Sequence, residues 1–217
     1  MSVPSDSLNE QLMALSRELR RDHPEYAVVM DQIFARTKDA GSSAPKPGEA
    51  MPPFMLPDER GRLTSLEETL ARGPVAISFH RGHWCPFCRL NMIALAKAHR
   101  EVAEVKGHLL AITPERWRYA AQLKQETGAD FPVLTDMDHS YALMLNIAIW
   151  LGEDMGPYLA KAGFDLPLYQ GSKSWLLPIP ATFVVGTDGI IAARFLDPDY
   201  RKRMSIEGLI AALKRAR

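Results

Sequence analysis

The stretch of sequence that decides the fold is Phe79-His80-Arg81-Gly82-His83-Trp84-Cys85-Pro86-Phe87-Cys88-Arg89. It continues a short apolar run, Val75 to Phe79, of the kind that forms a buried strand. A helix is predicted from Pro86 toward Glu104, since proline is well tolerated in the first turn of a helix. Cys85 and Cys88 are therefore predicted to lie where a strand gives way to a helix.

The position of Cys85 at the start of that helix favours redox chemistry. Free backbone N–H groups and the positive end of the helix dipole stabilise a thiolate there, so we expect a lowered pKa for Cys85. Cys88 lies one turn further along the same face, close enough to form a disulfide with Cys85. We predict that Cys85 attacks the substrate and that Cys88 resolves the product. Arg81 would add positive charge beside the sulfur and orient an oxygen substrate.

Two other interpretations of this stretch stay open. The cysteines could be small buried hydrophobic residues, because free cysteine is among the most buried residue types. The stretch could also bind zinc tetrahedrally through two histidines and two cysteines, namely His80, His83, Cys85 and Cys88. We favour redox chemistry over both, because Cys-x-x-Cys at a strand-to-helix junction, in a chain with no other cysteine, is a specific redox signal. We therefore expect no metal and no cofactor.

The rest of the chain alternates between short apolar runs and helical patterns. Strands are predicted at His108 to Ile112, Phe131 to Leu134, Thr182 to Val185 and Ile190 to Phe195. Helices are predicted from the Thr113-Pro114-Glu115 start signal to Gly128, from His139 to Leu145, and after a Ser205 cap. This order indicates an α/β domain with a mixed sheet covered on both faces. We interpret Trp150 to Ser174 as a loop-rich insertion without chemistry.

The N-terminal part of the chain predicts two helices. Leucines recur at helical spacing from Leu8 to Leu19, preceded by a capping box of Ser7 and Glu10. A second helix is predicted from about Asp22 to Gly41, and a proline-rich linker follows. We therefore divide the chain into a helical extension, residues 1–44, and a main domain, residues 45–217.

Composition limits the partners. The 26 basic and 26 acidic side chains cancel, so no net field attracts nucleic acid or an anionic membrane, and we expect neither as a partner. We interpret Lys202 and Arg203 as solvated surface. Two closely spaced cysteines do not form a secreted disulfide framework, and the N-terminus lacks a basic start and an apolar run. We therefore expect a reducing, cytoplasmic location.

Trp84-Cys85-Pro86-Phe87-Cys88 resembles the active-site motif of the thioredoxin superfamily, and the longer run Phe79 to Cys88 resembles the peroxiredoxin-like branch of the AhpC/TSA family. Pro178-Ile179-Pro180-Ala181-Thr182-Phe183-Val184-Val185, with Asp188-Gly189 after it, resembles the family segment in which a cis-proline faces the cysteines. The resemblance covers about Met51 to Arg217. It implies a thioredoxin-like fold, with a central mixed sheet flanked by helices, to which the N-terminal helical extension predicted above is added. It also implies that Pro180 is that cis-proline, and we assign Arg81, Trp84 and Pro180 to the substrate site.

The resemblance implies a thiol peroxidase. The Cys85 thiolate would reduce hydrogen peroxide or an organic hydroperoxide, Cys88 would condense with the resulting sulfenic acid, and thioredoxin or a glutaredoxin-type dithiol would restore the pair. Two departures from the family pattern are Gly82, where the family has threonine or serine, and Pro180, where it supplies an arginine that Arg81 or Arg194 would have to replace. A thiol-disulfide oxidoreductase of thioredoxin or glutaredoxin type is therefore the alternative. We favour a homodimer.

Overall fold

The computed structural model describes residues 7–216 and contains a central sheet of five strands. These strands are β3 (Val75–Phe79), β4 (His108–Thr113), β5 (Val133–Thr135), β8 (Ala181–Val185) and β9 (Ile191–Leu196). Their order across the sheet is β5-β4-β3-β8-β9, with β3, β4 and β5 parallel and β8 antiparallel to both of its neighbours. The sheet is mixed, which confirms the predicted fold class, a thioredoxin-like α/β fold.

Two small antiparallel sheets lie outside the central one. The first joins β1 (Met55–Pro57) to β2 (Leu63–Ser65), with a turn at Arg60 and Gly61 between them. The second joins β6 (Ala148–Trp150) to β7 (Leu176–Pro178). The helices are α1 (Leu8–Asp22), α2 (Pro24–Thr37), α3 (Leu66–Leu70), α4 (Pro86–Glu104), α5 (Trp117–Thr127), α6 (Ser140–Met144), α7 (Gly156–Lys161), α8 (Leu166–Gln170) and α9 (Ile206–Arg215).

The central strand β3 separates two hydrophobic clusters. Side chains alternate across a strand, so Ile77 and Phe79 join the cluster that contains both cysteines, whereas Ala76 joins the cluster under α4, α5 and α9. All five residues of β3 are buried. The strand therefore ends inside the protein, and the residues that follow it, 80–85, are also buried away from water.

The N-terminal helices belong to the cysteine-side cluster. Ser7 caps α1 and forms the predicted capping box with Glu10. Leu12 on α1 and Met30 on α2 are fully buried in that cluster, and α1 also packs against α4. The extension therefore covers the face of the main domain that carries the cysteines. The domain boundary at residue 44 stays a prediction.

Three local predictions differ from the structure. The helix expected at Thr113-Pro114-Glu115 begins at Trp117, because the Glu115 side chain is drawn into the interior and binds His83. The segment predicted as a loop-rich insertion contains α7 and α8. No peptide bond in residues 7–216 is cis, so the prediction that Pro180 is a cis-proline is wrong. Pro180 connects β7 to β8, and the extended path between these strands suits the trans bond that proline also prefers.

None of the helices within residues 7–216 has the length and apolar character needed to span a membrane.

Candidate active site

Cys85 and Cys88 occupy the first turn of α4. Cys85 is the N-cap residue, with extended backbone, and Pro86 follows it as the first helical residue. Because the helix starts here, Cys88 comes one turn later and points into the same cluster as Cys85. Both thiols are free and fully buried. The structure therefore brings the two predicted sulfur atoms together in the reduced state.

Arg81 is buried and contacts both cysteines, Cys85 through its side chain and Cys88 through its backbone. Its Nη2 donates to Cys85 Sγ at 3.1 Å, and its backbone N donates to Cys88 Sγ at 3.3 Å. Its guanidinium carbon lies 4.4 Å from the ring centroid of Tyr200 and 5.5 Å from that of Trp84. Aromatic faces stabilise a cation there while keeping water away. Arg81 is thus a fixed positive charge against the Cys85 sulfur.

A second arginine, Arg203, reaches the pair from the C-terminal segment. Its Nη2 lies 3.6 Å from Cys88 Sγ, and its Nη1 donates to the backbone carbonyls of Tyr200 and Lys202. Only 2% of Arg203 is exposed. The interpretation of Arg203 as solvated surface is therefore wrong, because the backbone of its own segment orients the guanidinium inward.

The environment makes the two thiols unequal. Burial and the hydrogen bond with Cys88 raise the pKa of Cys85 well above its usual range, against the charge of Arg81. Burial also opposes ionisation of Cys88, but its neighbours Cys85 and His80 and the charge of Arg203 outweigh it and hold the pKa of Cys88 well below its usual range. The lowered pKa expected for Cys85 is therefore not found in this state: the Arg81 guanidinium faces Cys85, whereas Arg203, His80 and the backbone N of Arg81 face Cys88.

Glu115 is a site residue that sequence reasoning missed. Its carboxylate accepts hydrogen bonds from the backbone N of His83 and from His83 Nδ1, both at 2.7 Å. The His83 ring stacks on Tyr119 and meets Tyr169 edge-on, each at 4.8 Å between centroids. Burial raises the pKa of Glu115. The carboxylate thus holds the loop between β3 and α4 in place.

Gly82 stands directly against this carboxylate. Its φ is +143°, and a Cβ added there would lie 2.5 Å from Glu115 Oε1 and 2.8 Å from Trp84 Nε1. A threonine or serine at this position would need space that Glu115 already fills. Glycine replaces the family's threonine or serine at position 82 because the carboxylate of Glu115, from the loop before α5, fills the space that a side chain would need.

The predicted zinc ligands do not converge. Within residues 7–216, no group of three or more His, Cys, Asp or Glu side chains is placed to hold a metal ion. His80 faces Cys88, whereas His83 turns away to Glu115. The geometry gives the zinc alternative no support.

The other residues predicted for the site are Trp84, Pro180 and Arg194. Trp84 is nearly buried and packs on Phe164, which comes from the segment predicted to be loop-rich. Pro180 is buried between β7 and β8, and its substrate role stays a prediction. Arg194 donates to the carbonyls of Ala44 and Pro45 at 2.7 and 2.9 Å. Of the two arginines considered for the site, it is therefore Arg81, and not Arg194, that contacts Cys85.

The model of the AhpC/TSA family matches residues 47–194. Two curated Mycobacterium tuberculosis relatives, whose names assign them provisionally to the peroxiredoxins, are 26% identical over 102 residues. That match spans 47% of this chain and 66% of the relatives' length, so it covers less than two thirds of them.

Solved structures show the same fold. The peroxidoxin BcpB of Mycobacterium tuberculosis aligns with a TM-score of 0.61 and 22% identity, covering 79% of this chain and 98% of that one. Peroxiredoxin Q of Xanthomonas campestris aligns with a TM-score of 0.57 and 16% identity, covering 81% and 98%. The family model matches well over half of the chain, and the chain belongs to the AhpC/TSA family, in agreement with the resemblance of its motif to the peroxiredoxin-like branch.

Proposed function

We propose that this protein is a thiol peroxidase in which Cys85 reduces hydroperoxides and Cys88 resolves the oxidised product. The observation that carries the proposal is the 3.1 Å contact between Arg81 Nη2 and Cys85 Sγ in a buried site. A guanidinium at this distance can stabilise a thiolate and can also bind the oxygen on which charge develops as the O–O bond breaks. Membership of the AhpC/TSA family supports the same chemistry.

The unequal thiols suggest how the reaction begins. The buried pair shares one negative charge, and the Arg81 guanidinium 3.1 Å from Cys85 Sγ can draw that charge onto Cys85 as a hydroperoxide enters, while the Cys85 proton passes to Cys88. The Cys85 thiolate then attacks the terminal oxygen, the O–O bond breaks, and Cys85 becomes a sulfenic acid while the peroxide is reduced by two electrons. Cys88 returns its proton to the departing alkoxide or hydroxide, which leaves as alcohol or water.

Resolution follows within the same helical turn. The Cys88 thiolate attacks the sulfenic sulfur, an S–S bond forms, and hydroxide leaves and is protonated to water. We propose that thioredoxin or a glutaredoxin-type dithiol then reduces the Cys85–Cys88 disulfide by thiol exchange, at the expense of its own oxidation. Because both sulfurs are fully buried, such a partner requires the first turn of α4 to open locally.

A groove beside the motif suits substrates larger than hydrogen peroxide. It encloses about 480 Å³ and is bordered by Trp84 and Pro86, which flank Cys85. Its other walls include Leu15 and Leu19 from α1 and Phe164 from the segment before α8. Cavities of this size and apolar character hold small organic ligands. We therefore include organic hydroperoxides among the proposed substrates.

The sulfenic acid is the intermediate to detect. Reduced Cys88→Ser protein, treated with one equivalent of hydrogen peroxide and a sulfenic-acid trap, is expected to carry the trapped adduct on Cys85 by peptide mass spectrometry. The matched Cys85→Ser variant retains Cys88 and is expected to give little adduct. A Cys88→Ser protein that yields no adduct at Cys85, although Cys85 remains free to alkylation after unfolding, would remove the step on which the proposal depends.

A thiol-disulfide oxidoreductase is the second candidate. Gly82 supplies no hydroxyl group to a peroxide, and the Pro-Phe pair between the cysteines is similar to that of glutaredoxins. This function predicts rapid reduction of insulin or of a glutathione mixed disulfide by the dithiol form, with little consumption of peroxide. Slow reduction of both disulfides would exclude it.

A further inference from the structure

A basic cavity lies behind the cysteine pair, between α1 and the C-terminal segment. It encloses about 550 Å³. Its charged walls are Arg17, Arg20, Asp199, Arg201, Lys202 and Arg203. These walls belong to the N-terminal helix and to residues beyond 194, both of which lie outside the part of the chain matched by the family model. The cavity is therefore a feature of this chain beyond the AhpC/TSA region.

Three of these cations already have carboxylate partners. Arg20 pairs with Asp31, Arg201 with Asp199 at 2.7 Å, and Lys202 with Asp197 at 2.9 Å. Arg17 and Arg203 have no carboxylate partner within residues 7–216. An anion in the cavity would thus meet two cations that no carboxylate of the described residues neutralises, although Arg203 also faces the Cys88 sulfur.

Arg203 is the buried member of the set. It is 2% exposed, lines the cavity, and its Nε has no hydrogen-bond partner in the described part of the chain. A buried guanidinium with an unsatisfied N–H and no carboxylate is costly, and the fork of an arginine matches a carboxylate or phosphate group. The arrangement is that of a binding group without its ligand.

The same guanidinium contacts Cys88. Its Nη2 lies 3.6 Å from Cys88 Sγ. An anion that binds Arg203 in the cavity would compete with the Cys88 thiolate for one positive charge. Occupancy of the cavity and ionisation of the resolving cysteine are thus linked through one side chain, and each must weaken the other.

We propose that the basic cavity binds a small organic anion bearing carboxylate or phosphate oxygens, and that the bound anion reduces the reactivity of Cys88 through Arg203. The binding site does not depend on the peroxidase proposal. Its consequence for turnover rests on that proposal, because it acts on the cysteine that we propose resolves the sulfenic acid.

Binding is tested by calorimetry on the reduced full-length protein, with citrate and inorganic phosphate in separate titrations at constant ionic strength. Arg17→Gln is expected to weaken binding by about tenfold, since it removes one of the two charges that have no carboxylate partner. Arg21→Gln is the matched control, because Arg21 is on the same helix, pairs with Asp22 and does not line the cavity. Preference for citrate or for phosphate would identify the ligand as a carboxylate or a phosphate compound. Absence of binding by both anions, or equal weakening in the two variants, would overturn the proposed site.

The link to Cys88 is tested without peroxide. Alkylation of Cys88 by iodoacetamide at pH 7 is followed by peptide mass spectrometry with and without a saturating concentration of the anion that binds. We expect a several-fold slower reaction in the wild-type protein and in Arg21→Gln, and in Arg17→Gln the same slowing only at about tenfold higher anion concentration. Binding that leaves the alkylation rate of the wild-type protein unchanged would overturn the link to Cys88. A failed sulfenic-acid trap would instead count against the peroxidase proposal and leave the site intact.

Discussion

The carboxyl group of Glu115 occupies the space that a side chain on Gly82 would need, in the loop that leads to Cys85. A Cβ on residue 82 would lie 2.5 Å from both Glu115 Oε1 and Cδ, closer than van der Waals contact allows. Glu115 in turn binds the backbone and ring of His83, the next residue along the chain. The glycine and the buried acid are therefore coupled, because a side chain at position 82 has room only if Glu115 moves or is replaced.

Replacing the glycine tests that unit. Gly82→Thr is expected to lower the free energy of unfolding by about 2 kcal/mol or more, because it adds both a steric conflict with Glu115 and a side chain at a φ of +143°. Urea denaturation followed by circular dichroism measures the change. The control is Gly61→Ala, at a φ of +79° but with open space around it, which should show only the backbone penalty of about 1 kcal/mol. Equal losses in the two variants would contradict the predicted conflict.

Removal of the Arg203 charge should make Cys88 harder to ionise. In a Cys85→Ser background, which leaves one thiol, Arg203→Gln is expected to raise the pKa of Cys88, because the guanidinium 3.6 Å from the sulfur no longer stabilises the thiolate. The pH dependence of thiolate absorbance near 240 nm reports the change. Lys202→Gln removes the same charge from the neighbouring, exposed residue and should have a much smaller effect. Equal shifts in both variants would indicate a general field effect.

The charge of Arg81 should matter less than its geometry. Arg81→Lys keeps the positive charge but loses the planar fork that meets Cys85 Sγ and stacks on Tyr200. We expect kcat/KM for hydrogen peroxide to fall by about 100-fold. Steady-state peroxide consumption with an excess of dithiol measures it, and an unchanged circular dichroism spectrum shows that the fold is retained. Full activity in Arg81→Lys would contradict the proposed contact between the guanidinium and the peroxide oxygen.

His139 should make the fold sensitive to acid. Burial lowers the pKa of His139 from its ordinary 6.5 to about 4. Between these values the unfolded chain binds a proton that the folded chain does not, so stability is lost as the pH falls from 6.5 toward 4. The full effect is about 3 kcal/mol.

The variant that tests this effect is His139→Asn, because asparagine does not titrate and tolerates the positive φ of 58° at this position. The free energy of unfolding of the variant should change less between pH 7 and pH 4 than that of the wild-type protein, as measured by urea denaturation at each pH. His23→Asn, at an exposed position, should leave the acid sensitivity unchanged. An identical pH dependence in His139→Asn and the wild-type protein would exclude His139 as the source.

Local signals predicted the elements that carry the cysteines. The apolar run Val75–Phe79 and the helix Pro86–Glu104 have the predicted limits, because a buried strand and a proline at the first helical position are encoded within a few residues. The strong helix-start signal at Thr113-Pro114-Glu115 failed, since a contact with His83, which precedes Glu115 by 32 residues, outweighs it.

Long-range contacts were not predictable in the same way. Arg203 is separated from Cys88 by 115 residues and stands in a run of charged side chains typical of a surface. No periodicity marks its inward direction, which depends on the carbonyls of its own segment and on the packing of α1. The pKa order of the cysteines could not be predicted either, because it depends on which sulfur those distant donors reach.

Reaction of the reduced protein with hydrogen peroxide, followed by stopped-flow tryptophan fluorescence, tests the central claim most directly. Trp84 precedes Cys85 in the chain and lies against Arg81, so oxidation of Cys85 should change its emission. We predict a rapid phase whose rate is proportional to peroxide concentration. Cys85→Ser should abolish the reaction, whereas Trp84→Phe should remove only the fluorescence change that reports it. A reaction no faster than that of an ordinary free thiol, and unaltered in Cys85→Ser, would contradict the assignment of this protein as a thiol peroxidase.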